Sequence, residues 1–272
     1  MKVKPTTLWN FCFVTFLLLL TLFPFYLLII TSFKYQDQII NHFWIPIFPL
    51  HLENYLNAFM QIWRFILNSV VVTGGIIVGV IINSTMAGYA FSRFNFIGKN
   101  FMYYFIIMLM MVPGFLLLIP QFILFRDLGL INTYAAQILA PMAFGTALAT
   151  MLTRTFFEEI PKSLLESAEM DGANELQIFA KIFIPMSKPI IATIAVVNAI
   201  TGWNNYIWPL VVTSGDKVRP VILALNNISG PLNEVQGIEF AGYVIASIPI
   251  LILFSFATRP FVAGLTSGAL KG

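Results

Sequence analysis

Cysteine, histidine and charge are all scarce in this 272-residue chain, and each scarcity removes a class of function. A single cysteine, Cys12, cannot form an intramolecular disulfide. With only His42 and His51 beside it, no Cys/His set stands at metal-ligand spacing, so no metal site is expected. No G-x-x-x-x-G-K-[ST] stretch occurs, so the chain cannot cradle a nucleotide in the P-loop manner. Nor does a nucleophile and base pair, a Gly-rich phosphate loop or a carboxylate dyad emerge, so neither catalytic nor cofactor-binding residues are expected. The net charge of +3 comes from Lys and Arg placed singly, never in a block, which argues against nucleic acid as a partner. Charged residues make up only 10% and hydrophobic ones 58%, whereas a soluble domain carries about a quarter charged. A soluble fold could not cover that much apolar surface, so the lipid bilayer is the expected solvent for most of the chain.

The charges that remain punctuate the chain. Long uncharged gaps cover 5–33, 65–92, 100–125, 128–153, 189–215 and 240–258. Each can supply the roughly 20 apolar residues of a membrane helix. The first begins after Met-Lys-Val-Lys like a signal peptide, yet 29 uncharged residues separate Lys4 from Lys34 and no A-x-A site follows, so it is read as a retained span. Residues 220–233, with Pro220, Asn226, Asn227, Gly230 and Pro231, read as a loop. Six spans place both termini on one side. That side carries ten of the fifteen Lys and Arg residues, which predicts cytoplasmic termini.

None of these spans holds Asp, Glu, Lys, Arg or His near its middle. Proton-coupled carriers keep such residues inside the membrane as relays, so a proton-driven carrier is disfavoured, while sodium coupling through backbone carbonyls stays open. If transport here is active, its energy comes from another polypeptide. The place to receive it is the loop at 158–188, which holds nine of the chain's 27 charges.

In "IPKSLLESAEMDGANELQIFAKIFIP", Pro161 suits a helix start, and Ser163 with Glu166 three residues on has the form of a capping box. Gly172 is expected to end that helix, Asn174 with Gln177 to cap a second, and Leu176, Phe179, Ile182 and Phe183 to form its apolar face. Pro185 and Pro189 punctuate entry to the fifth span. A helical hairpin at the membrane surface follows. By itself it reads as an interfacial amphipathic element or as a docking element whose small residues permit close approach and whose acids face a basic partner, and the two are compatible.

At this loop the chain resembles the membrane subunits of binding-protein-dependent ABC importers, in particular the carbohydrate branch that includes the smaller maltose-permease subunit. The family signature of Glu-Ala-Ala, three residues, Gly, a spaced Phe and a late Pro is matched by Glu166-Ser167-Ala168, Asp171-Gly172-Ala173, Phe179 and Pro185, with Ser167 in place of the first Ala. "AGYAFSRFNFIGK", "PGFLLLIPQFILFRDLGLINT", "WNNYIWPLVV" and "GLTSGALKG" extend the likeness through most of the chain, residues before about 60 being less diagnostic. The resemblance implies an all-α, six-span type I importer permease fold in a bacterial cytoplasmic membrane. It implies a second, different permease subunit, a pair of cytoplasmic ATPases carrying the ATP and Mg, and an external solute-binding protein delivering a sugar or oligosaccharide. The ATPase-coupling residues would be Glu166, Ser167, Ala168, Met170, Asp171, Gly172 and Ala173. The expected divisions are a first span and external loop at 1–65, a five-span core at 66–262 and a cytoplasmic tail at 263–272, the last either a disordered end or a segment reaching the ATPases.

The fifth span is the most polar and aromatic. As one helix it would place Asn198, Gly202, Asn205 and Pro209 on one face, with Trp203, Tyr206 and Trp208 nearby. Asn198, Asn205, Trp203 and Tyr206 are therefore candidates for a solute path, amides bonding hydroxyls and rings packing on sugar C–H surfaces, although helix packing and an aromatic belt explain the same residues. Gly75 and Gly79 read as a packing seam, and Met108, Met110 and Met111 as lipid-facing or core filler. The external loop at 216–239 is either a connector or a contact for the binding protein. The reading from a different class is a stand-alone secondary carrier or channel, with a membrane enzyme more distant.

Overall fold

A computed structural model of the chain describes the backbone of residues 5–229 and 235–269, and side-chain surroundings for 9–229 and 235–256. Among the described residues every regular element is helical: α1 (Pro5–Ser32), α2 (Gln36–Asn41), α3 (Glu53–Arg93), α4 (Lys99–Leu109), α5 (Leu118–Asp127), α6 (Tyr134–Glu158), α7 (Lys162–Met170), α8 (Glu175–Ile178), α9 (Ile184–Met186), α10 (Lys188–Trp203), α11 (Ile207–Val212), α12 (Val221–Ala224) and α13 (Val235–Ala269). Wide π turns over Phe179–Phe183 join α8 to α9. Helix is the expected answer to lipid, because every backbone donor and acceptor is then satisfied within its own segment.

By length and apolarity four described helices can cross a membrane, or up to six if two bent pairs, Lys99–Leu109 with Gly114–Asp127 and Glu175–Met186 with Lys188–Trp203, each count as one span. This modifies the expectation of six uninterrupted segments. The third uncharged gap is broken: α4 stops at Leu109, Pro113 and Gly114 follow, and the chain resumes through α5 at 94° to its first direction. Proline lacks the N–H that a continuing helix needs and disfavours helical backbone in the residue before it. The methionines at this break are exposed, Met111 at 80%, so they fill no core. In the fifth gap α10 ends at Trp203, where the Asn204 side chain donates to the Ile200 carbonyl at 2.9 Å, the acceptor its own backbone N–H also uses. Conversely, α3 is longer than its gap. Its 41 residues extend about 61 Å, roughly twice the apolar thickness of a bilayer. The backbone of the C-terminal segment is helical to Ala269, overriding a disordered end at 263–269; residues 270–272 lie outside the described residues.

The chain forms two compact units, Met1–Arg64 with Ala224–Ile248, and Phe65–Leu223 with Pro249–Gly272. In the first, the C-terminal end of α1 is capped by Asn54, whose amide donates to the Ser32 and Lys34 carbonyls at 3.0 and 3.1 Å. Lys34 is 1% exposed and satisfies its ammonium on the His42 and Phe43 carbonyls. Gly237 lies so close that a Cβ there would stand 2.0 Å from the Lys34 oxygen. Gln61 exchanges two hydrogen bonds with the Ser229 backbone, at 2.8 and 3.0 Å.

In the second unit α6 is the central element, touching α4, α10 and α11. Its seam with α3 is built on glycine: a Cβ on Gly75 would meet Ile138, one on Gly79 would meet Met142, and one on Gly88 would meet Thr153 and the Arg154 backbone. Without a hydrophobic drive between helices in lipid, close approach of this kind is what holds them together. The Thr153 hydroxyl donates to the Ser84 carbonyl at 2.8 Å in the same seam. Val72, Ile76, Val80, Ala149 and Ile194 close the core beside it. The segment before α12, expected to be either a connector or a contact for the binding protein, is sewn into this unit: Asn68 donates to the Lys217 and Arg219 carbonyls, Ser69 accepts the Val221 N–H and Gln137 donates to the Val218 carbonyl. Residues 230–234 of the 216–239 loop lie outside the described residues. Gly88→Ala should destabilise the chain by about 1–3 kcal/mol, since backbone lies within reach of the new methyl, whereas Gly74→Ala, with open space around it, should be neutral or gain up to about 1 kcal/mol. Thermal unfolding of the two variants in detergent checks both.

Candidate functional site

The 158–188 segment folds as the hairpin its sequence suggests, with one change at its start. The residue before α7 is Pro161, in extended backbone with ψ 128°, so Ser163 falls inside the first turn and caps nothing. No capping box forms there, and Glu166 stays exposed rather than bound to its own helix. At the other end Gly172 has φ +80°, and the N–H groups of Gly172 and Ala173 donate to the Glu169 and Ala168 carbonyls at 3.0 and 2.9 Å. This is a Schellman closure, which needs the left-handed conformation glycine adopts without strain. Asn174 and Gln177 then exchange the reciprocal hydrogen bonds of a capping box, both at 2.9 Å.

The apolar face of the second arm differs from the sequence expectation. Ile178 and Phe183 are buried, Phe179 and Ile182 pack against them, but Leu176 is 75% exposed. The π turns at 179–183 shift the register so that a strictly α-helical stripe does not persist. Pro185 explains them: it has no N–H and its ring would crowd the carbonyl four residues back, and the wider turns, with Ile184 N–H donating to the Phe179 carbonyl, relieve that crowding. Under the hairpin lie Tyr89, Phe157 and Ile160, meeting Leu165 of its first arm, with Ala168 and Ala173 half-buried against them. Of the expected coupling residues, those two face inward, while Glu166, Ser167, Met170, Asp171 and Gly172 form the exposed rim, Met170 at 88%.

Two residues not anticipated from the sequence fasten the hairpin. Arg93, the last residue of α3, pairs with Glu169 on the first arm and with Glu175 on the second, the latter at 3.3 Å. Tyr89, one turn earlier, donates its hydroxyl to the Glu175 carboxylate. The hydrogen bond from Tyr89, and after it those from Arg93, hold the Glu175 carboxyl below the ordinary carboxylate range against the opposing push of partial burial. Both lie inside "AGYAFSRFNFIGK", 76 or more residues from their partners, and spacing rules reach only local neighbours. A cleft of about 450 Å³ between Ser92, Arg93, Asn95 and Lys162 opens beside Glu166.

A separate cavity of about 440 Å³ lies within the second unit, where the broken helices meet. Gly114 and Leu118 come from the break before α5, Pro141, Phe144 and Gly145 from α6, and Asn205 and Trp208 from the break between α10 and α11. Asn198 and Asn205 line it, joined by Gln121 and Thr201, which sequence reading did not single out; Trp203 and Tyr206 are not among its lining residues. The single helical face through Asn198, Gly202, Asn205 and Pro209 does not exist, because the chain is irregular from Asn204 to Tyr206. Pro209 cannot donate to the Asn205 carbonyl four residues back, so the usual helical bond is missing there. Trp208 anchors the second piece, donating Nε1–H to the Ala136 carbonyl at 2.9 Å and packing edge-on to Phe125. Asn198 is buried with its amide donating to Ile194, and its Oδ1 would stand 2.2 Å from a Cβ on Gly145. Such an array of amides, a hydroxyl and rings in an otherwise apolar space can bind a polar solute, and no group in it supplies acid, base or nucleophile. Gly145→Ala should push Asn198 aside at a cost of about 1–3 kcal/mol, and Gly172→Ala should strain the hairpin turn by about 1–2 kcal/mol. Unfolding in detergent reads the first, and faster hydrogen exchange confined to Lys162–Ile178 reads the second.

Comparison with known proteins places these two features in one context. Residues 75–267 match the family model of the binding-protein-dependent transport system inner membrane component. The arabinooligosaccharides transport system permease protein AraQ of Halalkalibacterium halodurans is 34% identical over 281 residues, covering 100% of this chain and 99% of the relative. The sn-glycerol-3-phosphate transport system permease protein UgpE of Brucella abortus is also 34% identical, over 91% of this chain and 92% of its own length. The crystal structure of a bacterial ABC transporter involved in the import of the acidic polysaccharide alginate contains a chain of the same fold, with TM-score 0.82 at 24% identity over 95% of this chain and 99% of that one. The chain therefore belongs to the binding-protein-dependent inner-membrane components, and is a multi-pass, non-catalytic permease subunit of an ABC importer with the type I permease fold, which works with a solute-binding protein and an ATPase.

Proposed function

We propose that this permease passes a sugar or oligosaccharide, delivered by an external solute-binding protein, through the cavity at Asn198 and Asn205, driven by cytoplasmic ATPases docked on the 162–178 hairpin. The carbohydrate class is supported by the arabinooligosaccharide relative and by the cavity chemistry, amides for hydroxyls and the rings of Phe115, Phe144 and Trp208 for C–H faces. The bent pair from Lys99 to Asp127 counted as one span and α10 as another bring the total to six, with both termini cytoplasmic, in accord with the Lys and Arg distribution. A second, different membrane subunit completes the pathway, and ATP with Mg resides on the ATPase pair.

The observation that carries this reading is the hairpin itself: a compact element with Glu166, Met170 and Asp171 on its exposed rim and its inner face fastened to the end of α3. Closure of the ATPases moves the hairpin, and the packed helices rock between outward and inward access. Glu166 is available to pair with a basic residue of the ATPase because it is spent on no internal contact. The alternative, a stand-alone carrier or channel, would need neither the rim nor a partner.

Reconstitution separates the two. The complete transporter should accumulate radiolabelled arabino-oligosaccharide or, as a second probe, glycerol 3-phosphate only with ATP, and the lone chain should pass neither. Glu166→Lys should lower uptake by about tenfold or more while the subunit still inserts and the ATPases still turn over. Flux through the purified chain alone, or normal uptake by the Glu166→Lys transporter, would defeat the proposal.

A further inference from the structure

Arg93 is the point at which both arms of the hairpin are held. Glu169 closes the first arm and Glu175 opens the second, on either side of Gly172, and the one guanidinium pairs with both. Tyr89 adds a hydrogen bond to Glu175 and sets its ring edge-on to Phe183 at 4.7 Å. We propose that Arg93, with Tyr89, is a positioning clamp that makes the two arms move as one body and delivers their movement to α3 and α6, and so to the cavity. This rests on the reading of the hairpin as the ATPase contact, and assigns the residue by which the contact is wired to the solute path.

Four features support it. The clamp is bivalent, one terminal guanidinium nitrogen of Arg93 meeting both carboxylates, and the guanidinium stays charged at any physiological pH. Its cation is partly shielded, Arg93 being 24% exposed against 47% and 46% for Glu169 and Glu175, so the guanidinium side of each pair is less screened than on an open surface. The neighbouring charges do not compete for it: Arg154 is engaged by Glu158 at 2.8 Å and by the Tyr103 ring, and Lys162 and Glu166 stand across the cleft. Finally, the helix that ends in Arg93 cannot slide independently. At Gly88, just over one turn before the clamp, α3 meets Thr153 and the Arg154 backbone without room for a methyl, and Thr153 bonds the Ser84 carbonyl. Close-packed elements of this kind transmit displacement instead of absorbing it. α6 carries Pro141, Phe144 and Gly145 into the cavity wall, so the route from hairpin to cavity runs through two packed helices and no loop.

A clamp that merely held the hairpin together would reduce the yield of folded transporter and leave each folded molecule competent. One that transmits movement separates ATP turnover from rearrangement of the cavity. The complete transporter, in a Cys12→Ser background, is therefore fitted with Thr201→Cys in the cavity wall, and its maleimide labelling rate is compared with and without trapping by ATP and vanadate. Met170→Cys crosslinking to the ATPase is followed in parallel as the measure of docking. In the parent, trapping should change Thr201→Cys labelling by about tenfold. In Arg93→Gln the change should shrink to about twofold or less, with crosslinking and ATP turnover kept within about twofold of the parent. A full labelling change in Arg93→Gln overturns the proposal. If that variant does not fold, charge exchange decides: Arg93→Glu with Glu169→Arg moves the cation to position 169, facing acids at 93 and 175. Recovery of the labelling change over Arg93→Glu alone supports the clamp, and no recovery overturns it. Absence of the Met170→Cys crosslink in the parent would sink the docking reading and the clamp's role with it, a result the labelling outcomes do not produce.

Discussion

Lipid offers no hydrogen bonds, and the architecture of this permease follows from that. A backbone group left open in hydrocarbon costs several kcal/mol, so the chain is helical wherever lipid is its neighbour. Where a helix stops inside an apolar stretch, the freed groups must face protein or a cavity. Two of the described breaks obey this rule together. Gly114 on one side and Asn205 on the other line the same cavity, and side chains tie the broken ends down: Asn204 on the Ile200 carbonyl, Trp208 on the Ala136 carbonyl. The cavity thus takes in irregular backbone from both breaks, and it is also where a polar solute finds amides.

The same constraint banishes charge from the spans and concentrates it on the surface hairpin. There the energetic logic reverses. Glu169 and Glu175 lie at the edge of the membrane fold, close enough to Arg93 and Tyr89 for strong pairing and exposed enough for a modest desolvation cost. The apolar underside formed by Leu165, Ile178 and Phe183 fixes the hairpin's position, and the polar clamp fixes its orientation. What remains exposed at Glu166, Met170 and Asp171 makes no side-chain pairing among the described residues and is free for a partner.

Glycine plays two unrelated parts. At Gly172 its backbone freedom allows the hairpin to close, whereas at Gly75, Gly79, Gly88 and Gly145 the absence of a Cβ lets α3, α6 and α10 approach closely. The Gly75 and Gly79 seam was legible as a motif. Gly88 and Gly145 were not, because each answers to a residue on another helix, Thr153 and Asn198, far away in sequence.

Local chemistry by itself determined the helical class, the membrane, the hairpin's Gly172 turn and its Asn174 cap, since all of these depend on composition or on residues within a few positions of one another. It misjudged Ser163, Leu176 and the continuity of the fifth span, where a proline or an asparagine a few residues away altered the register that a regular period assumes. Tertiary structure alone decided that Arg93 and Tyr89 serve residues 169 and 175, that Asn198 and Asn205 meet Gln121 and Thr201 around one cavity, and that Trp203 and Tyr206 are not part of that lining. Such pairings are set by how helices cross and by where they break, and a one-dimensional pattern carries the face of a helix but not the neighbour to which that face is turned.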